Sequence, residues 1–132
     1  MQWKVGRVTI SSIVEQDLHE INELIVGAKR SAIKEIGWLA PHFAKDDGTL
    51  TGLIQCFVIE TPSRKIVVDT CIGDGKDRQY FPHWHKLSTG FLERFRAAGF
   101  RTEEIDCVLC THMHLDHVGW NTVWKDNRWT PT

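Results

Sequence analysis

In Thr111-His112-Met113-His114-Leu115-Asp116-His117-Val118-Gly119, four side chains able to bind a metal fall within the six residues 112–117. They come directly after the apolar run Cys107-Val108-Leu109-Cys110. On an extended backbone, residues two apart project to the same side, so His112 and His114 can grip one ion together. Asp116 and His117 follow as the chain turns, and can face a second ion beside the first. Histidines at i, i+2 and i+5 with an intervening aspartate are hard to explain by packing, because polar groups in such density rarely go into a core.

The rest of the composition is that of an ordinary soluble domain. At 132 residues the chain has the length of one domain and can bury a core of its own. It is 42% hydrophobic and 25% charged, with no apolar run of the roughly 18–20 residues a membrane span needs. Sixteen Lys and Arg oppose 17 Asp and Glu, a formal charge of −1. No global basic field draws in nucleic acid. The start, Met1-Gln2-Trp3-Lys4-Val5, lacks the apolar core of a secretion signal, and a cytoplasmic location is the default. Four cysteines (Cys56, Cys71, Cys107, Cys110) lie in apolar runs and do not read as a disulfide framework. Cys107 and Cys110 have C-x-x-C spacing, but on a strand residues three apart point to opposite faces. Core packing is therefore expected for that pair.

Along the chain, Val8, Ile10 and Val14 alternate with Arg7, Thr9 and Ser11, a half-exposed strand near a sheet edge. Residues 17–44 are mixed, with short helical turns near Leu24-Ile25-Val26 and Ile33–Ile36. Leu53–Ile59 and Ile66-Val67-Val68 flank Thr61-Pro62-Ser63-Arg64, which predicts a hairpin of two buried strands ending at Asp69. Leu87–Ala98 has helical spacing, with Ser88 or Thr89 as N-cap and Gly99 as the stop. Asp106–Cys110 reads as a strand buried on both sides. Strand, helix and strand at this spacing predict a crossover, with 66–69 and 106–110 as parallel neighbours.

The run 111–119 resembles the T-H-x-H-x-D-H-x-G signature of the metallo-β-lactamase superfamily. Asp69-Thr70-Cys71 resembles that superfamily's D-T-G motif, with Cys71 in place of the glycine. The resemblance implies a mixed α+β fold, the αβ/βα sandwich, with residues 1–132 covering roughly the N-terminal half of one such domain. It assigns His112 and His114 to a first metal, Asp116 and His117 to a second, and to Asp69 the orienting of the metal loop by hydrogen bonds. It also implies three further ligands. His19, His42, His83 and His85 lie upstream of the motif and do not correspond to them.

Two divalent ions are thus implied, zinc first, with Mn, Fe or Co also suited to imidazole and carboxylate. Such a pair lowers the pKa of a shared hydroxide to about 7 for attack on a carbonyl or phosphoryl centre, and Asp116 both ligates and orients that nucleophile. Gly119 is followed by Trp120, where thioesterases of the glyoxalase II type carry a second glycine. D-H-V-G-W-N is closer to the N-acyl homoserine lactonases and methyl-parathion-hydrolase-like enzymes, so a small lactone or ester is the expected substrate. Trp38, Phe43, Phe81, Trp84 and Trp120 are candidates for an apolar pocket or for the core. Pro82-His83-Trp84-His85 reads as a substrate-side loop. Two alternatives stand beside this: a nuclease or thioesterase of the same fold, and an inactive half-domain that associates as a homo-oligomer or with its missing C-terminal half through exposed sheet surface.

Overall fold

The computed structural model describes residues 1–132. It contains a five-stranded mixed sheet of order β1-β2-β3-β4-β5: β1 Gln2–Val5, β2 Val8–His19, β3 Thr51–Glu60, β4 Lys65–Val68 and β5 Cys107–Leu109. A separate two-stranded antiparallel sheet pairs β6 (Thr122–Lys125) with β7 (Arg128–Pro131). Two helices, α1 (Arg30–Lys34) and α2 (Phe91–Ala97), complete the regular structure. No helix is long and apolar enough to cross a membrane.

The chain divides into two compact units, Met1–Glu15 with Gln55–Thr132, and Gln16–Ile54. The second unit is built on Ala28, Ile33, Ala44 and Leu50, with Ile21 and Leu39 packed against them. Asn22 is its polar hub: Nδ2 donates to the carbonyls of Ala28 (2.9 Å) and Gly48 (3.0 Å), and Oδ1 accepts from the Leu50 amide (2.9 Å). The helical turns expected in 17–44 are present as a 3-10 turn at Ile21–Leu24 and as α1.

In the first unit the expected hairpin forms, with β3 and β4 antiparallel in the register Phe57 to Val68 and Glu60 to Lys65. Thr61 closes its turn, its hydroxyl accepting from the Arg64 amide at 2.9 Å. The crossover also forms: α2 lies between β4 and β5 in sequence, and those strands pair in parallel, Ile66 with Cys107 and Val68 with Leu109. Phe91, Phe95, Phe100 and Trp120 carry the aromatic core, with centroid separations of 5.6–6.0 Å along the series. Ile13, Cys56, Val58, Val67, Cys71 and Ile72 are buried in the same unit.

Three expectations are corrected. The edge strand is a hairpin, β1 and β2, turning at Gly6-Arg7, and β2 buries Ser11, Ile13 and Glu15 while the Val8, Ile10, Val14 side is only partly covered. Helix α2 begins at Phe91 behind Gly90, with no side-chain cap, because the Thr89 hydroxyl is engaged by Asp74 (3.0 Å) and Glu15 (3.2 Å). Gly99 does stop it, at φ +92°, with the Phe100 amide reaching back to the Phe95 carbonyl. Finally, β5 is not buried on both sides. It is the sheet's edge strand, Val108 and Leu109 are about half exposed, and Cys107 is exposed while Cys110 is partly so.

One close approach fixes how the metal-motif segment leaves the sheet. The Gly119 amide donates to the Cys71 carbonyl (2.7 Å) and the Trp120 amide to the Thr70 carbonyl (2.8 Å). A Cβ on Gly119 would drive into the Ile72 carbonyl, which is backbone and has no rotamer to escape by. Gly119→Ala is therefore expected to destabilise the protein by about 3 kcal/mol, the upper range for overpacking. Gly37→Ala, where nothing lies within 4 Å of the added carbon, should stay within about 0.5 kcal/mol of the parent, as surface changes do. Urea denaturation of the two variants side by side checks the contrast.

Candidate metal centre

Strand β5 ends at Leu109, and the residues that follow are turns and bends rather than extended chain. The same-side argument for His112 and His114 therefore fails in its premise. The pair still meets, because the loop curls: the His117 amide donates to the His114 carbonyl at 3.0 Å. His112 Nε2 and His114 Nδ1 lie 3.1 Å apart. At this distance one nitrogen donates a hydrogen bond to the other; the separation is also close to the roughly 3.3 Å between two imidazole nitrogens on one tetrahedral zinc.

The second pair forms beside the first. His117 Nε2 is 3.3 Å from Asp116 Oδ2, and the rings of His112 and His117 lie 4.0 Å apart between centroids. His112 and His114 are exposed and Asp116 and His117 half-buried, so all four donors are open to solvent on one side. No group of three or more His, Cys, Asp or Glu side chains is placed so as to hold a metal ion. The donors come as two adjacent pairs, which fits two-point attachment of divalent ions and leaves their other positions to other ligands.

Asp69 organises both pairs. It sits at the end of β4 with φ +56°, and its carboxylate turns into the loop. Oδ1 accepts the Thr111 amide (2.7 Å), Oδ2 accepts the Thr111 hydroxyl (2.8 Å), and His117 Nδ1 lies 2.9 Å from Oδ2. A carboxylate can only accept. His117 Nδ1 therefore donates its proton to Asp69, while Nε2 faces Asp116 Oδ2, itself an acceptor, at 3.3 Å. The Thr111 hydroxyl, having given its proton to Asp69, offers a lone pair to His112 Nδ1 at 3.1 Å. That places the His112 proton on Nδ1 and makes Nε2 the acceptor of a hydrogen bond from His114 Nδ1. One carboxylate thus orients two of the candidate histidines, a role of the kind metal sites use.

Burial pushes the Asp69 carboxyl up, but hydrogen bonds from His117 and Thr111 outweigh it and hold the group below the ordinary carboxylate range. The neighbouring thiol behaves oppositely. A hydrogen bond to Cys56 and burial push Cys71 far above the usual thiol range, so it supplies no thiolate to the metal loop. Cys71 adopts φ +53° where the superfamily motif has glycine, which gives that departure a physical content: a left-handed residue kept by full burial.

The aromatic candidates scatter. Trp120 is buried and lines an apolar cavity of about 280 Å³ with Phe91 and Phe95, a cavity that none of the other four reaches. Phe81 and Trp84 stack at 6.1 Å, and Trp38 pairs edge-on with Phe43. His85 Nδ1 accepts the Arg78 amide at 3.0 Å, within its own loop. Two groups around the metal loop escaped the sequence reading. Arg78 Nη2 donates to the Leu115 carbonyl (3.1 Å), and its guanidinium lies close enough to Asp116 and Glu15 to feel both charges. Nothing in the Gly- and Asp-rich stretch marks that arginine. Glu15 was masked by the apolar alternation of its strand.

Asp69→Asn should cost about 1–3 kcal/mol at pH 7, because the amide's –NH2 face opposes the Thr111 and His117 donors. The group's folded pKa is depressed, so its contribution is present above pH 4 and lost as pH falls through the folded value. The stability gap between parent and variant should therefore narrow from pH 7 to pH 3 in denaturation curves.

Residues 50–132 match the family model of the metallo-beta-lactamase superfamily. Among curated proteins, the transcription termination factor FttA of Methanocaldococcus jannaschii is 26% identical over 118 residues, covering 83% of this chain and 16% of that protein. FttA of Methanococcus maripaludis is 40% identical over 65 residues, 48% of this chain and 8% of its own length. Among solved structures, AidC, a dizinc quorum-quenching lactonase, superposes with TM-score 0.62 at 24% identity, over 90% of this chain and 37% of its own. The hydrolase AbOPH gives 0.65 at 22% identity, over 90% and 38%. The chain thus spans under a fifth of these curated relatives and about two fifths of the solved chains. With the mixed sheet and the histidine loop in place, and a family match over more than half its length, the chain belongs to the metallo-β-lactamase superfamily.

Proposed function

We propose that this chain carries the metal-gathering loop of a divalent-metal-dependent hydrolase that acts on a small lactone or related ester. The observation that carries the proposal is the pairing of candidate donor atoms, His112 Nε2 with His114 Nδ1 and Asp116 Oδ2 with His117 Nε2, on a loop that Asp69 orients. His112 and His114 would hold one ion, and Asp116 and His117 a neighbouring one. Zinc suits this donor set first; Mn, Fe and Co suit it too. A divalent ion there supplies a Lewis acid and a nucleophile that works near neutral pH. The chain's own residues do the rest. Asp116 offers its second oxygen to orient a reacting water, and Asp69 with Thr111 orients the imidazoles of His117 and His112.

The ester reading is supported by the D-H-V-G-W-N continuation of the motif and by a net charge of −1, which provides no field for a polyanion. A second reading, action on nucleic acid by a nuclease of the superfamily, is favoured by the matches to transcription termination factors. The two separate on substrate.

Elemental analysis of the purified chain should find bound divalent metal, and His114→Ala should lower the affinity at least tenfold, the scale on which metal sites respond to lost ligands and their supports. A metal-free chain at saturating zinc would overturn the proposal. Thr111→Val, which breaks the Asp69–Thr111–His112 relay without touching a ligand, should weaken metal binding about 10-fold. Turnover of lactones with no cleavage of single-stranded RNA or DNA is the expected outcome of a substrate panel, and the reverse would install the second reading.

A further inference from the structure

We infer that Glu15, on β2, is a positioning residue for the metal loop, an inference that rests on the metal-binding reading above. Glu15 is 6% exposed, and its carboxylate collects donors from three separate segments. Oε2 accepts the Ile72 amide at 2.6 Å. Oε1 accepts the Gly73 amide at 3.2 Å and the Trp120 indole Nε1–H at 2.7 Å. The Thr89 hydroxyl, shared with Asp74, lies 3.2 Å from the same oxygen.

A buried carboxylate is costly unless it is fully hydrogen-bonded, and here three of the four donors, all but the Thr89 hydroxyl, belong to segments bordering the metal loop. Ile72 and Gly73 follow Asp69-Thr70-Cys71, and Trp120 follows Gly119 directly. Between them the two segments are already laced together: Thr70 N–H donates to the His117 carbonyl (2.7 Å), Gly119 N–H to Cys71 and Trp120 N–H to Thr70. The Gly73 and Gly119 backbones touch so closely that neither tolerates a Cβ. Glu15 holds both sides of that contact with one group. It thereby fixes the level at which His117 and Asp116 leave the loop, without reaching any ligand atom itself.

Its charge also acts on Arg78 through space. The Arg78 guanidinium feels both Glu15 and Asp116 and donates to the Leu115 carbonyl, between the two ligand pairs. A neutral glutamine would fill the same space. It would present –NH2 to one set of N–H donors and would withdraw the negative charge behind Arg78. The need is for a carboxylate and not merely for volume.

Cobalt(II) titration of the full chain, read by its visible absorption, tests this beside metal-free denaturation. Glu15→Gln should raise the cobalt dissociation constant at least fivefold and alter the ligand-field bands, which report coordination geometry. Trp120→Phe, which removes only the indole donor and keeps a ring in the core, should remain folded and raise it about threefold. Phe100→Leu, a core change remote from the loop, should lower stability yet leave the dissociation constant within twofold of the parent. Parent-like affinity and bands in Trp120→Phe and in folded Glu15→Gln would overturn the role of Glu15 alone. Equal weakening by Phe100→Leu would reduce it to general stability, and overturn it too. A parent chain that takes up no cobalt would overturn the metal reading and this inference together.

Discussion

The Asp69 carboxylate is the constraint on which the site depends. It stands where β4 ends, and with φ +56° the backbone turns it away from the sheet and into the loop after β5. Pairing of β4 with β5 in parallel brings that loop alongside, since the Asp69 amide donates to the Leu109 carbonyl at 2.8 Å. The sheet therefore supplies the registration and the carboxylate converts it into side-chain order. A carboxylate has no proton to give, so each donor that reaches it is committed in one direction. Thr111 and His117 are committed directly and His112 through the Thr111 hydroxyl. The chemistry of the loop is settled one layer behind the atoms that would hold metal.

Much of this was legible in the chain itself, because the informative features are local. The hairpin of β3 and β4 follows from two apolar runs and the Thr61–Arg64 turn, and the parallel pairing of β4 and β5 follows from the helix between them. The four candidate donors stand out by their spacing and by the motif they resemble. Their geometry does not: the loop curls through turns, and His112 meets His114 by curvature rather than by strand alternation. Features that depend on distant partners were hidden. Glu15 in Ile13-Val14-Glu15 looks like the polar side of an amphipathic strand, yet it is the buried side, because its hydrogen-bond partners lie 57–105 residues away. The exposure of β5 was hidden for a related reason. An apolar strand reads as buried, and only the strand order reveals that Val108 and Leu109 lie at an edge.

Glycine at the end of the motif has a steric meaning here. Gly119 lets the chain pass within van der Waals contact of the Ile72–Gly73 backbone, and that passage puts the His117 carbonyl on the Thr70 amide. The partner segment meets the same demand differently, with Cys71 holding a left-handed conformation that glycine would take freely. Its thiol is fully buried and raised well out of the thiolate range, first by Cys56 and then by burial. Packing holds the residue there, and its sulfur stays out of the metal chemistry.

Charge completes the account. Around the loop stand three carboxylates, Asp69, Asp116 and Glu15, with the Arg78 guanidinium beside Asp116 and that of Arg94 on the Glu15 carbonyl, although the whole chain is nearly neutral. Asp69 and Glu15 have their oxygens occupied by donors and act as fixed negative charge. Asp116 is half-exposed and keeps its second oxygen free of protein donors. A local negative field of this kind is unfavourable for anions and favourable for cations, and it acts at short range, where partial burial limits screening by salt. Arg78, tied to the Leu115 carbonyl, offsets only part of it, and one of its buried nitrogens has no partner. The loop thus carries local negative charge where the two candidate donor pairs stand.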